Sequence, residues 1–174
     1  MTSPSCGSWV AIQTRPLRED CVRACLESKG YEVFLPGRSG TASRRTQRPR
    51  RPLALFPGYL FCRWMSDLKS KVVTTPGVVR IVGVGKVPEP VREEEIANIR
   101  KLVESGISIR SCLQVPSGST VEITSGPLRG AVGLVVTAPA AQEFVVSINL
   151  LRRHLAVTLD KGTEFVIRSG IGSS

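Results

Sequence analysis

Val121-Glu122-Ile123-Thr124-Ser125-Gly126-Pro127-Leu128-Arg129-Gly130-Ala131-Val132-Gly133-Leu134-Val135-Val136 decides the fold of the second half of this chain. A β-branched run enters a Gly-Pro turn, Gly130 permits a positive φ, Gly133 lets another backbone come close, and an apolar run leaves. That is a hairpin in sequence. Downstream, Phe144-Val145-Val146-Ser147-Ile148, Ala156-Val157-Thr158-Leu159 and Glu164-Phe165-Val166-Ile167 repeat the pattern at the 8–12-residue spacing of small all-β domains. The β-branched residues, together with Gly126, Gly130, Gly133 and Pro139, also weigh against a long helix here. A β-barrel over 119–170 is expected.

Upstream the pattern changes. Trp9-Val10-Ala11-Ile12 reads as a strand closed by Thr14-Arg15-Pro16, and Leu17 to Lys29 has helical periodicity ending at Gly30. Strands follow at Tyr31–Leu35, Leu55–Arg63 and Val78–Val82, with a short helix over Asp67–Val73. Glu93 to Val103 has acids in its first turn, later bases, and Ile96, Ile99, Leu102 and Val103 on one face, which predicts a second long helix. The fold class is therefore α+β: an α/β sandwich over 7–107, a linker over 108–118 and the barrel. Residues 107–115 can add pairing to either side.

Charge separates the halves more sharply than periodicity does. The 174 residues carry a net +10; residues 1–114 hold 19 Lys+Arg against 10 Asp+Glu, and 115–174 hold 5 against 4. Arg44, Arg45, Arg48, Arg50 and Arg51 crowd an acid-free Gly/Ser/Thr/Pro segment, which predicts a mobile loop that attracts phosphate; a merely solvated charged loop is the alternative. No apolar stretch reaches the roughly 20 residues of a membrane helix, and no secretory signal is expected at the start. Five cysteines without metal-ligand spacing suggest a reducing, cytoplasmic setting, with Cys21 and Cys25 as small core residues and no metal. His154 is the single histidine and is expected at the surface or in a turn. It sits in no nucleophile–base motif, and Gly83-Val84-Gly85-Lys86 lacks phosphate-loop spacing, so neither catalysis nor a cofactor is expected.

Leu55-Phe56-Pro57-Gly58-Tyr59-Leu60-Phe61 concentrates three of the chain's nine aromatic residues. Tyr59 and Phe61 share a face of a strand, and Phe56 joins them only if Pro57-Gly58 bends the chain. Together with Trp9 to Ile12, Gly77 to Gly83, and Gly126, Pro127, Gly130 and Gly133, this segment resembles the NusG family of transcription elongation factors, the last four residues matching its KOW motif. The resemblance implies an N-terminal (NGN-like) domain and an SH3-like KOW barrel, acting as a monomer. It implies binding to RNA polymerase through an apolar pocket matched by Trp9, Phe56, Tyr59 and Phe61 with Arg15 at the rim, and a second contact near Ser70 and Lys71. Ordinary sheet packing is the alternative for each aromatic. The Arg-rich segment would then meet upstream or non-template DNA or nascent RNA through phosphates.

In the family the KOW barrel recruits Rho or a small-subunit ribosomal protein through a loop that aligns with Leu150-Leu151-Arg152-Arg153. Housekeeping members have an aromatic followed by glycine where this chain has Leu151 and Arg152, a departure that suggests a specialised paralogue and leaves both partners open. A loosely tethered barrel that leaves Phe56 and Tyr59 uncovered is expected. A ribosomal-type KOW protein is the rival reading, although its bases should surround the barrel, and a phosphoryl-handling enzyme is the other.

Overall fold

The computed structural model describes residues 4–38, 53–65, 68–84, 87–112, 117–137 and 142–168. The chain divides into two compact units, Met1–Glu93 and Glu94–Ser174.

In the first unit, β1 (Trp9–Thr14) is the central strand, and α1 (Glu19–Ser28) follows it. Next come β2 (Val33–Phe34), the two-residue pair β3 (Gly37–Arg38) and β4 (Leu53–Ala54), and β5 (Tyr59–Arg63). Then α2 (Leu68–Val73) leads to β6 (Val78–Ile81), β7 (Gly83–Val84), β8 (Val87–Pro88) and β9 (Pro90–Val91). The sheet runs β2-β5-β1-β6, with β9 also on β1, and the β1 pairings are antiparallel. Strand alternation sorts its two faces. Val10, Ile12, Leu60 and Cys62 project toward Val22 and Leu26 of α1 and Val72 of α2, so both helices lie on one face of the sheet. Trp9 and Phe61 project from the other.

Cys62 is the buried cysteine of this unit, and burial beside Glu32 pushes its thiol up to about 12. Cys21 is exposed and Cys25 half-buried, contrary to a core reading for both: α1 turns Val22 and Leu26 inward, one position past each thiol. Gly83 and Val84 belong to a β-hairpin with Val87 and Pro88, so the phosphate-loop reading has no structural basis.

The second unit begins within α3 (Glu93–Glu104) and continues through β10 (Ile109–Cys112), β11 (Ser119–Ile123), β12 (Val132–Thr137), β13 (Gln142–Ile148), β14 (Arg153–Thr158) and β15 (Phe165–Ile167). A 3-10 turn, Asn149–Leu151, joins β13 to β14. The sheet order is β10-β14-β13-β12-β11-β15, antiparallel throughout. Val121, Ile123, Phe144, Val146, Ile148, Leu155 and Val157 are buried within it. Gly133 marks a close approach: a Cβ there would stand 2.4 Å from the Val145 carbonyl oxygen and 2.9 Å from the Phe144 ring.

Two assignments shift relative to the sequence reading. Ile109–Cys112, inside the expected 108–118 linker and the 107–115 stretch expected to pair with either side, is an edge strand of the C-terminal sheet, paired with β14 from Ile109↔Val157 to Cys112↔His154. Residues 94–104 group with that sheet as well. The reason is polar: the Asn98 side chain donates to the Val132 carbonyl at 2.8 Å and accepts from the Val132 N–H at 3.0 Å. Lys101 donates to the Gly130 carbonyl, and Asn149 donates to Glu95 at 2.8 Å. β12 meets β13 only from Leu134↔Val145 onward, so at Val132 the Asn98 amide supplies the bonds a neighbouring strand would otherwise make.

Candidate functional site

The aromatic segment folds around its Pro-Gly break. Gly58 takes φ +80°, Tyr59 N–H closes a turn on the Phe56 carbonyl at 3.0 Å, and Phe56 swings under the sheet to meet Phe61 edge-on at 5.8 Å between centroids. Phe34 stacks at 6.3 Å on Phe61 and meets Trp9 at 6.4 Å, so the four rings form a chain across one sheet face. Arg63 lies over Trp9 at 4.4 Å. It also pairs with Glu93, at 2.8 Å through Nη2, and with Glu32 at 3.2 Å, while Trp9 Nε1 donates to Glu93 at 3.2 Å. The Arg63 side chain is therefore fixed in both position and charge.

Trp9, Phe56 and Phe61 are buried, Phe56 at 2% exposure, which corrects the expectation that Phe56 stands uncovered. Its contact with Phe61, and the pinning of Leu55 N–H to the Pro36 carbonyl at 2.9 Å, draw it into the core. Tyr59 is half-buried and Arg15 exposed. Tyr59 begins a row that sequence reading did not find: it pairs with Gln13, which pairs with Arg80, and Arg80 Nε donates to Gln13 Oε1 at 2.8 Å. Directly opposed residues project to the same face, so phenol, amide and guanidinium continue the aromatic chain toward solvent. Strand alternation alone could have placed Gln13 beside Tyr59 only if the β1–β5 register were known.

Ser70 and Lys71 are exposed on α2, which packs on the opposite sheet face. The Lys71 carbonyl accepts from Lys29 Nζ at 3.3 Å and the Ser70 carbonyl from Thr74 Oγ1 at 3.1 Å, which ties the short helix down. Arg44, Arg45, Arg48, Arg50 and Arg51 lie outside the described residues.

In the second unit, Gly126 (φ +77°) and Gly130 (φ +74°) shape the loop between β11 and β12, with Gly130 N–H on the Ile123 carbonyl at 2.7 Å and Pro127 exposed. Leu150, Leu151 and Arg153 are half-buried, while Arg152 is exposed with φ +48°. His154 departs from expectation. It is buried in β14 with Nδ1 2.7 Å from Ser147 Oγ, because Ser147 and His154 oppose each other in the β13–β14 ladder, and burial holds the imidazole below its ordinary 6.5. Among the described residues no cluster of His, Cys, Asp or Glu could hold a metal ion, and no helix is long and apolar enough to cross a membrane.

The family model described as "Transcription termination factor nusG" matches residues 7–100. Curated relatives named transcription termination/antitermination protein NusG are similar over much of their length. The Helicobacter pylori protein is 25% identical over 131 residues, 68% of this chain and 74% of its own. The Campylobacter jejuni protein is 24% identical over 164 residues, covering 88% and 89%, and that of Thermus thermophilus 25% over 177 residues, covering 87% and 94%. A solved structure titled "Domain interaction in Thermotoga maritima NusG" matches with a TM-score of 0.50 and 26% identity, over 87% of this chain and 92% of that one. The match over residues 7–100 and the named relatives place this helix-flanked antiparallel sheet, followed by a C-terminal sheet, among transcription factors. The chain belongs to the NusG family and is a NusG-like transcription factor.

Proposed function

We propose that this chain binds RNA polymerase in the cytosol and promotes elongation and antitermination, while the C-terminal barrel recruits a second partner. The observation that carries this reading is the arrangement of the first unit. Tyr59 is half-buried on the face that carries the rings of Trp9, Phe56 and Phe61, Arg15 is exposed just past the end of β1, and Ser70 and Lys71 are accessible on the helix packed against the other face. Two contact surfaces on opposite faces suit a protein that bridges two parts of a polymerase and favours its closed state, a population shift by preferential binding.

Arg44 to Arg51 supply phosphate contacts without base reading, and Leu150 to Arg153 present the barrel's partner surface. Rho and a small-subunit ribosomal protein are the family's partners for that loop; the Arg152 charge favours a specialised acidic partner over either. The test is capture of core RNA polymerase by the full chain. Tyr59→Ala is expected to weaken it by about thirtyfold, the cost of an interface hot spot of about 2 kcal/mol, with melting unchanged. Binding at wild-type strength would remove Tyr59 from the interface and this reading with it.

A further inference from the structure

Three chemistry-bearing side chains line up across three strands of the C-terminal sheet. Ser147 on β13 opposes His154 on β14, and His154 in turn opposes Cys112 on β10. Directly opposed residues project to the same face with Cβ atoms about 4.5–5.5 Å apart, so hydroxyl, imidazole and thiol form one continuous row. The imidazole is held from one side, its Nδ1 standing 2.7 Å from Ser147 Oγ. The two ring nitrogens point in nearly opposite directions, so turning Nδ1 toward β13 turns Nε2 toward β10 and the thiol opposed there. His154 is buried, whereas Cys112 is half-buried on the edge strand and so reachable by a small reagent.

A fixed positive charge shares that face. Arg110 lies two residues before Cys112, and Glu143 accepts from its guanidinium at 2.8 and 2.7 Å. The Glu143 hydrogen bond first, and the charge at Cys112 after it, raise the arginine above its ordinary value. Partial exposure, a neighbouring cation and a base within reach are the surroundings of a reactive thiol. The other cysteines lack at least one of them. Cys62 is buried, and that burial, with Glu32 beside it, pushes its thiol up to about 12. Cys6, Cys21 and Cys25 have no imidazole to turn to, because His154 is the single histidine of the chain. We infer that Cys112, His154 and Ser147 form a thiol-oxidation site for small hydroperoxides. Ser147 Oγ accepts from His154 Nδ1–H, which leaves the Nε2 lone pair to take the Cys112 proton as the sulfur attacks the peroxide. The S–O bond forms, the O–O bond breaks, and Nε2 returns the proton to the departing oxygen. The sulfur is oxidised to sulfenic acid and the hydroperoxide reduced to an alcohol or water. A low-molecular-weight thiol then condenses with the sulfenic acid to a mixed disulfide and water, and a further thiol restores Cys112.

The experiment treats the reduced full chain with a sub-stoichiometric pulse of hydrogen peroxide, traps sulfenic acid with dimedone, and follows each cysteine by peptide mass spectrometry. Cys112 is expected to label on the order of tenfold faster than Cys6 and Cys21, although both are more exposed. His154→Gln should erase that advantage and leave the Cys6 and Cys21 rates as they were, with melting reporting that the sheet is kept. Ser147 acts through the imidazole and is a positioning residue. Ser147→Ala should therefore slow Cys112 alone, and Ser147→Thr, which keeps the hydroxyl, should restore it; this pair decides the matter if His154→Gln does not fold. Labelling of Cys112 no faster than that of Cys6 and Cys21 overturns the site. So does an unchanged Cys112 rate in folded His154→Gln, or a Ser147→Thr rate as slow as that of Ser147→Ala. The measurement contains neither polymerase nor nucleic acid, so its failure is distinct from loss of polymerase binding by Tyr59→Ala.

Discussion

Arg152 sits in the left-handed region, φ 48° and ψ 44°, at the end of the 3-10 turn between β13 and β14. The turn is kept because Arg152 N–H still bonds to the Asn149 carbonyl at 3.1 Å. The left-handed region costs an L-residue roughly 1–2 kcal/mol, and glycine gives back about 0.5–1 through the freedom of its unfolded chain. Arg152→Gly should therefore stabilise the second unit by about 0.5–1 kcal/mol, seen as a higher urea midpoint at unchanged m. His154 has a different signature. Burial lowers its folded pKa below 6.5, so above that value neither state takes a proton and stability is full. As pH falls from 6.5 through the lower folded value, the unfolded chain binds the proton first and the second unit loses stability. His154→Gln should flatten this acid-side decline when melting is compared between neutral pH and pH near 5.

At the scale of elements, α3 and β12 meet through one amide. Asn98 satisfies both the N–H and the carbonyl of Val132, at 3.0 and 2.8 Å, where the β12–β13 ladder, which begins at Leu134↔Val145, does not reach. Asn98→Ala leaves both backbone groups without these bonds and should cost about 1–3 kcal/mol. Hydrogen exchange at the Val132 amide is the direct measurement, with protection expected to fall. Asn98→Asp, which keeps the acceptor and loses the donor, should fall between. The helix itself was legible at 93–103 from its acids and periodicity, and its span is Glu93–Glu104. Its attachment was not legible. Asn98 is a polar residue on a buried stripe, and only the strand edge facing it gives that position a role.

For the whole molecule, the proposed phosphate contacts, with positive charge concentrated in the first 114 residues, predict a salt-dependent affinity for nucleic acid. Replacing Arg44, Arg45, Arg48, Arg50 and Arg51 with Gln should lower affinity about equally for unrelated sequences and reduce the salt slope by up to roughly 4–5. A titration of log affinity against log salt for two unrelated DNAs checks this, and a loss confined to one of them would show base reading instead.

Local pattern was enough to read the run of strands and helices in this α+β chain, and the motif residues carried its resemblance to the family. Period-2 runs of β-branched residues, the Gly-Pro turns and the helical stripes act over a few residues each, and their order along the chain matches the strands and helices observed. The bend that brings Phe56 to Phe61 was readable for the same reason, since Pro57-Gly58 fixes it locally. Partnership between distant residues was decided by the tertiary structure alone. Register places Gln13 between Tyr59 and Arg80, the opposed ladder of β13 and β14 buries His154 against Ser147, and the exposed end of β12 draws in Asn98. Whether an aromatic is covered depends on what the rest of the chain packs against it. No window of sequence contains that neighbour, so burial becomes visible only in the fold.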